Sequence, residues 1–293
     1  MDMTSTSPQI RAYRGPDLGF RLRRLLGRVA FWLSVFAILS PAVLVLLWML
    51  SLSLKTEVEN IAYPPVFIPS TPTLDNFAEV FRASPFGQYT INSIIVSGTS
   101  TLVGLLVGVP AGYGIAKARA SGLAVLVLIS RMTPALSYLI PLFILFSFIG
   151  LTGTLWSLII THLVITLPIV VWVMIGFFED LHPELEEAAL IDGCDIWQAF
   201  IHVAVPLARP GIVVAAILSF IFSWNNFIFG VVLAGRETRT LPVAVYNVLT
   251  FEQIAWGPLA AAALIVTLPV LVLTIFIQRH IVTGLASGGI KGG

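Results

Sequence analysis

Long runs without a charged side chain are the feature that most constrains this sequence. Val29 to Leu54 covers 26 residues, and Met132 to Phe178 covers 47, without Asp, Glu, Lys or Arg. A membrane-spanning helix needs about 20 apolar residues, so the second run is long enough for two. Charged residues make up 11% of the chain and hydrophobic residues 57%, whereas a soluble domain carries about 25% charge. The sequence therefore predicts an all-α, multi-spanning membrane protein and excludes a soluble enzyme.

Six membrane spans are predicted from the gaps between charges. The turn signal Gly150-Leu151-Thr152-Gly153 divides the longest uncharged run. The predicted spans are 29–54, 91–115, 123–149, 155–178, 210–233 and 258–277. An even number of spans puts both termini on one side, and 11 Lys and Arg residues fall there against four on the other side. The positive-inside rule then predicts that both termini are cytoplasmic.

These spans divide the chain into three predicted regions. Residues 1–28 form a cytoplasmic N-terminal segment, in which Leu and Arg side chains predict an interfacial helix. Residues 29–281 form the transmembrane domain, and residues 282–293 form a cytoplasmic tail. The longer loops of the transmembrane domain are predicted to be external at 55–90 and 234–256 and cytoplasmic at 179–209.

Local signals predict two short helices in the cytoplasmic loop. Pro183 can open the first helix, glutamates favour its N-terminal turn, and Gly193 suits the residue that follows its C-cap. Asp195 and Gln198, three residues apart, predict a capping box for a second helix over 196–203, which ends before Pro206. Two capped helices joined by a sharp bend make a rigid protrusion, which is suited to transmitting motion to a docked partner.

The same loop resembles the EAA signature of ATP-binding-cassette importer permeases. In this signature Glu-Ala-Ala is followed by Gly after three residues, and then by an aliphatic-X-aliphatic-Pro group after nine more. The matching residues here are Glu187-Ala188-Ala189, Gly193, Val203 and Val205-Pro206. The segment Phe222-Ser223-Trp224-Asn225-Asn226-Phe227 and the ending Gln278 to Gly292 fit the carbohydrate branch of the family. The chain is similar to the shorter, maltose-permease-G-type subunit of a bacterial sugar importer.

The resemblance implies a type I ABC importer permease fold in the bacterial cytoplasmic (inner) membrane. It implies three kinds of partner besides the lipid bilayer: a second homologous permease, two ATPase subunits that bind ATP and Mg, and an extracytoplasmic sugar-binding protein. The chain itself would then carry no cofactor and no catalytic residue. ATPase coupling would fall on Glu187, Ala188, Ala189, Asp192, Gly193 and Pro206. The alternative is an exposed helix face at Glu187, with Ala188 and Ala189 as ordinary helix formers and Gly193 as a simple C-cap.

A substrate pathway is predicted from polar residues at membrane depth. Asn225 and Asn226 lie about 15 residues into the fifth predicted span, and amides at such depth face a bundle interior or a wet cavity. They would contact sugar hydroxyls or make an interhelical hydrogen bond. Trp224 would stack on a sugar ring or pack against the partner permease. Arg131, the one charge well inside a predicted span, would line the path, snorkel, or pair with a partner carboxylate.

The second external loop is predicted to contact the binding protein, as such loops do in the family. Its polar and aromatic contacts would be Arg236, Arg239, Tyr246 and Glu252, although a simple surface loop is equally compatible with the sequence.

The transported solute could be a polyol, an anionic sugar derivative or a glycerol-phosphate ester instead of a sugar.

Other classes of function are less compatible with the sequence. A secondary transporter would need intramembrane carboxylates, and no Asp or Glu falls within a predicted span. A membrane enzyme would need a catalytic constellation, a metal site would need clustered ligands, and nucleic-acid binding would need a basic field. The four histidines are scattered and the net charge is +1, so none of these is predicted.

Overall fold

The computed structural model describes the backbone of residues 18–248 and 255–288, and the side chains of 23–246 and 255–276. Every regular element in these ranges is helical. The α-helices are α1 (Leu18–Ser53), α2 (Glu57–Asn60), α3 (Asp75–Ala83), α4 (Phe86–Lys117), α5 (Ser121–Met132), α6 (Ala135–Phe148), α7 (Leu155–Glu179), α8 (Pro183–Ile191), α9 (Ile196–Ala199), α10 (Val205–Leu207), α11 (Arg209–Trp224), α12 (Ile228–Leu233), α13 (Leu241–Val248) and α14 (Trp256–Gly288). A π-helical turn, Phe200–Ala204, joins α9 to α10.

Helix α1 supplies the described part of a first compact unit, which ends at Met49. None of its side chains from 23 to 49 is buried within the described chain. Large apolar side chains such as Trp32 and Phe36 are about two-thirds exposed, and a helix that is apolar on all sides is typical of a membrane span. The predicted interfacial helix before residue 29 is not a separate element, because residues 18–28 contain no proline and helical pairing continues through them.

The second unit, from Leu50 onward, is built around α4, α7 and α11. Helix α4 carries glycine at every fourth position from Gly104 to Gly112, facing α7. A Cβ atom on Gly108 would lie 2.7 Å from Val170 Cγ1, and one on Gly112 would lie 2.7 Å from Met174 Cβ. Small residues therefore bring these two backbones together, as at other membrane helix interfaces.

A buried cluster of polar side chains lies at the meeting of the same three helices. Ser223 Oγ on α11 lies 3.0 Å from Ser100 Oγ on α4 and 2.7 Å from His162 Nδ1 on α7. All three side chains are almost completely buried. We call Ser100, His162 and Ser223 the serine–histidine cluster. Hydrogen bonds between spans satisfy groups that lipid cannot, so this cluster holds the bundle together.

The described helices are compatible with the six predicted spans, but two of these spans differ in form from the prediction. By length and composition α1, α4, α7 and α14 can each cross a membrane, and two bent helix pairs raise the number to six if each pair is one span. The third predicted span, 123–149, is two helices, α5 and α6, which meet at 85°. Thr133 between them is extended, because a residue that precedes proline, here Pro134, disfavours the helical conformation.

The fifth predicted span, 210–233, is also not continuous. Helix α11 ends at Trp224, residues 225–227 leave the helical path, and α12 begins at Ile228. At its other end α11 meets the preceding helical segment, Ile196–Leu207, at 74°. The sixth predicted span, 258–277, is in contrast part of a longer helix, since α14 runs through Gly288 into the predicted tail.

The first predicted external loop is ordered by polar contacts. Asn76 Nδ2 donates to the carbonyl oxygens of Ser53 and Lys55, at 2.9 and 2.7 Å. The Glu57 carboxylate accepts from the first backbone N–H groups of α14, where the helix dipole favours an anion. Burial lowers the pKa of the Lys55 amine, and hydrogen bonds from Ser70 lower the pKa of Glu59.

Candidate functional site

Helix α8, the first helix of the loop 179–209, begins as the sequence predicted. Pro183 occupies its first turn together with Glu184 and Glu186. Proline has no N–H to lose at this position, and acidic side chains complement the positive end of the helix dipole. The helix therefore starts at a fixed residue directly after α7.

The end of α8 is fixed by Gly193. The Gly193 N–H donates to Leu190 O at 3.1 Å, and the Cys194 N–H donates to Ala189 O at 3.0 Å. This pair of bonds, with φ of +95° at Gly193, is a Schellman cap. An L side chain rarely adopts this φ, so glycine is required here by conformation and not by space.

The predicted capping box starts the second helix. The Gln198 N–H donates to Asp195 Oδ1 at 2.7 Å, and the Asp195 N–H donates to Gln198 Oε1 at 2.9 Å. The predicted end before Pro206 is wrong, because helical structure continues through the π-helical turn into α10. Proline cannot donate in an i→i−4 pattern, and the widened turn before Pro206 accommodates it.

The motif residues of α8 divide between its two faces. Glu187 and Ala188 are exposed, and Asp192 and Gly193 are exposed at the helix end, whereas Ala189 is buried against the rest of the loop. Among the described residues no side chain pairs with the Glu187 carboxylate. The predicted coupling residues therefore form an exposed surface, apart from Ala189 and the half-buried Pro206.

The neighbouring carboxylate, Glu186, is buried and was not singled out by the sequence. Its Oε2 accepts from Tyr113 OH at 2.8 Å and from Lys117 Nζ at 2.5 Å. The Glu186 side chain is 9% exposed and that of Lys117 46%. We call these three residues the Glu186 cluster. Two features of the sequence could have pointed to Glu186. Lys117 is one of two cations between the second and third predicted spans and so a possible partner, and Glu186 shares a helix face with Ala189.

Predicted pathway residues lie where α11 ends. The Trp224 side chain is 3% exposed, stacks on Phe220, and donates from Nε1 to Val266 O on α14 at 3.0 Å. It packs within its own chain, where its N–H finds a partner. Asn226 Oδ1 accepts from the Phe229 N–H at 3.1 Å and so caps the start of α12.

Asn225 is the amide that the structure leaves exposed. Its Nδ2 donates to Ile221 O in the preceding turn. With Asn226 and Phe222 it lines a groove of about 430 Å³, which also includes Ala135 at the start of α6. The break between α5 and α6 and the break at 225–227 between α11 and α12 thus meet at this groove. Non-helical backbone at membrane depth is tolerated where it lines a cavity or is buried in protein.

Arg131 lies apart from this groove. It is exposed in the last turn of α5, directly before the 85° bend, and nothing in the described ranges forms an ion pair with it.

At the opposite end of the bundle from α8, residues 235–240 are held against α4. Asn92 Nδ2 donates to the carbonyl oxygens of Glu237 and Arg239, at 2.8 and 2.9 Å, and Gln88 Nε2 donates to Glu237 O at 3.0 Å. Arg236 and Arg239 line a cavity of about 750 Å³ between this segment, α3 and α14. Two carboxylates, Glu79 and Glu237, line the same cavity, but among the described residues neither guanidinium group forms an ion pair.

Of the other two predicted external contacts, only Tyr246 lies among the described residues, and it does not line that cavity. Tyr246 is exposed and its ring lies 5.5 Å from that of Phe227, and Glu252 lies outside the described residues. Groups of three potential metal ligands do not occur among the described residues.

Comparison with known proteins identifies the family of this chain. Residues 101–287 match the family model described as "Binding-protein-dependent transport system inner membrane component". The trehalose transport system permease protein SugB of Mycobacterium tuberculosis is 37% identical, over 90% of this chain and 98% of its own. The sulfoquinovosyl glycerol transport system permease protein SmoH of Agrobacterium fabrum is 34% identical, over 84% and 88%.

The fold also has a solved counterpart. A chain of a bacterial ABC transporter involved in the import of the acidic polysaccharide alginate matches with a TM-score of 0.70 and 19% identity. The match covers 91% of this chain and 99% of that one. The all-α arrangement of bent and continuous spans is therefore the fold of an ABC importer permease.

Proposed function

Because this chain belongs to the family of binding-protein-dependent transport system inner membrane components, we propose that it forms half of the pathway of an ATP-driven sugar importer. The relatives SugB and SmoH are named for trehalose and for sulfoquinovosyl glycerol, which supports a sugar or sugar derivative as the solute. The second half would come from a homologous permease. A polyol or a glycerol-phosphate ester is the alternative solute class.

The exposed acidic face of α8 is the observation that carries this proposal. A rigid helix, fixed at one end by Pro183 and at the other by the Gly193 cap, presents Glu187 with no partner in the described chain. A cation of an ATPase subunit would pair with it. ATP and Mg would be bound by two such subunits, which close and move the loop, while this chain binds neither.

A charge reversal on α8 tests the ATPase contact. Glu187→Lys is expected to lower co-purification of the ATPase subunits, and sugar uptake in proteoliposomes, by about tenfold or more, since a like charge replaces an attraction. Glu184→Lys changes an exposed glutamate one turn earlier and is the matched control, with uptake expected within about twofold. Wild-type levels of both readouts in Glu187→Lys would exclude this contact.

The sidedness of the loop can be tested with the single cysteine of the chain. Cys194 follows Gly193 directly and is half-buried. If the α8 loop and both termini are cytoplasmic, a membrane-impermeant thiol reagent labels Cys194 in inside-out vesicles and not in right-side-out spheroplasts. Labelling in intact spheroplasts would reverse the orientation.

We further propose that Asn225 lines the solute pathway. It is exposed in the groove where two helix breaks meet, whereas Asn226 caps α12. Asn225→Ala should lower uptake about fivefold without lowering thermal stability, and Asn226→Ala should lower stability by about 1 kcal/mol. Equal uptake by wild type and Asn225→Ala would remove Asn225 from the pathway.

A role of Arg131 in selectivity is tested by measuring the uptake of neutral and anionic sugars in Arg131→Gln. A selectivity role requires a larger loss of uptake for the anionic sugar.

The cavity beside Arg236 and Arg239 is proposed to receive the external binding protein. The two guanidinium groups stand on a backbone that Gln88 and Asn92 hold rigid, so they suit an acidic group on that protein. Arg239→Glu is expected to weaken binding-protein stimulation of ATP hydrolysis about tenfold, with basal hydrolysis unchanged. An unchanged concentration for half-maximal stimulation would place the contact elsewhere.

A further inference from the structure

Helix α8 has one carboxylate that points into the molecule. Glu186 and Ala189, three residues apart, are buried, whereas Glu184 and Glu187 are exposed. A carboxylate that is 9% exposed requires hydrogen-bonding partners, because its desolvation is otherwise uncompensated. Glu186 therefore makes specific contacts, unlike the other two glutamates of the helix.

Both partners of Glu186 lie at the end of α4. Tyr113 and Lys117 are four residues apart and so share one face of that helix. Their hydroxyl and ammonium groups both bind Glu186 Oε2, at 2.8 and 2.5 Å. In sequence Lys117 lies 69 residues from Glu186. The contact is thus a direct link between α8 and α4, in addition to the path through α9 and α10 to α11.

The donor side of this link is itself held in place. The Tyr113 ring lies 5.3 Å from Phe178 at the end of α7 and 4.7 Å from Phe200 in the π-helical turn, measured between ring centroids. These rings belong to one buried cluster with Val170 and Met174 on α7. Glu186 is therefore bound to a residue that is packed into the core of the bundle.

We infer that Glu186 is a positioning residue that makes α8 move together with α4. The inference rests on the proposed function, in which ATPase subunits displace α8 through Glu187. With the link intact, that displacement is delivered to α4 and to the helices packed on it. Without the link, α8 still presents Glu187, but its displacement reaches the bundle only along the chain and through its packing against α9 and the π-helical turn. The EAA motif marks Glu187 and leaves Glu186 unassigned.

Hydrogen exchange in the assembled importer tests the link directly. Glu186→Gln keeps the size of the side chain and removes its charge, and Lys117→Met removes the cation. Both are expected to speed amide exchange over residues 183–193 by about fivefold or more, because α8 opens more often. Glu184→Gln, on the exposed face of the same helix, should leave exchange unchanged. Wild-type exchange in Glu186→Gln would overturn the inference.

The coupling ratio tests the consequence. In proteoliposomes Glu186→Gln should raise the ATP hydrolysed per sugar transported by about fivefold, while the ATPase subunits still co-purify at wild-type levels. The charge-exchanged pair, Glu186→Lys with Lys117→Glu, should bring the ratio back toward wild type. A proportional fall of hydrolysis and uptake, or a pair no better than its single variants, would show a merely structural role. If the wild-type protein co-purified without ATPase subunits, the proposed function would be refuted. The hydrogen-exchange result would still decide whether α8 is linked to α4.

Discussion

The serine–histidine cluster and the Glu186 cluster both join α4 to other helices, yet they use different chemistry. In the first, Ser100, His162 and Ser223 are each at most 1% exposed and meet through hydroxyl and imidazole groups. In the second, an acidic and a basic side chain meet, and Lys117 is nearly half exposed. The first lies along the spans, and the second lies where α4 ends and the loop begins.

The difference follows from the cost of placing charge in hydrocarbon. An ionised group at membrane depth is expensive, whereas hydroxyl groups need only a partner. The charged pair therefore lies where water reaches one of its members, Lys117. Attraction between charges also acts over a longer range than a hydroxyl hydrogen bond, which suits a contact with a helix outside the bundle core.

The largest expected effect comes from moving α4 away from α7, since that disturbs both clusters. A Cβ atom on Gly112 would lie 2.7 Å from Met174 Cβ and 3.2 Å from Val171 O. Neither atom is the free end of a flexible side chain, so Gly112→Ala should lower the free energy of unfolding by about 2–3 kcal/mol. Unfolding in mixed detergent micelles measures this.

Gly114 is the matched control on the same helix, because a Cβ atom there meets nothing within 4 Å. Gly114→Ala should be neutral or stabilise by up to about 1 kcal/mol. Equal effects at Gly112 and Gly114 would show that the close approach of α4 and α7 contributes little.

An intermediate effect is expected at the serine–histidine cluster. Ser223→Ala leaves His162 Nδ1 without its partner and removes the bond to Ser100, which should cost about 1–2 kcal/mol in the same unfolding measurement. Ser219, one turn earlier on α11, is also buried, but its hydroxyl has no partner among the described residues. Ser219→Ala should therefore be neutral or slightly stabilising. A loss as large as that of Ser223→Ala would mean that burial alone, and not the cluster, sets the cost.

The smallest effect separates the two clusters by their response to salt. Lys117→Met should cost about 0.5–1 kcal/mol at low ionic strength, because Lys117 is partly exposed. The cost should shrink at about 1 M salt, where the Debye length is about 3 Å. Melting of wild type and variant at two salt concentrations gives this difference. The cost of Ser223→Ala should not change with salt, and the same dependence in both variants would remove the distinction.

The local structure of the α8 loop was predictable because its signals are local. Pro183, Gly193 and the pair Asp195–Gln198 each act within a few residues, and each does in the structure what its position in the sequence indicated. The family followed from the spacing of Glu187, Gly193 and Pro206, a pattern that needs no knowledge of tertiary contacts.

Features that depend on distant segments were not predictable in the same way. Prolines at 41, 110, 141, 168 and 269 lie inside continuous helices, whereas Pro134 lies at an 85° bend. Proline alone therefore does not reveal a break, because the neighbouring helices decide whether the freed groups find partners. Glu186 was likewise not singled out, because the signals at Lys117 and on the helix face shared with Ala189 do not show where α4 lies relative to α8.

The glycines of α4 have a mechanical consequence. Val170 and Met174 on α7 pack over Gly108 and Gly112 on α4. Sliding one helix along the other would push these side chains against larger neighbouring residues. A helix pair packed in this way resists sliding, and we expect it to tilt as one rigid body. We expect a change of shape in the bundle to occur at its bends, such as the 85° bend between α5 and α6 and the 74° bend before α11.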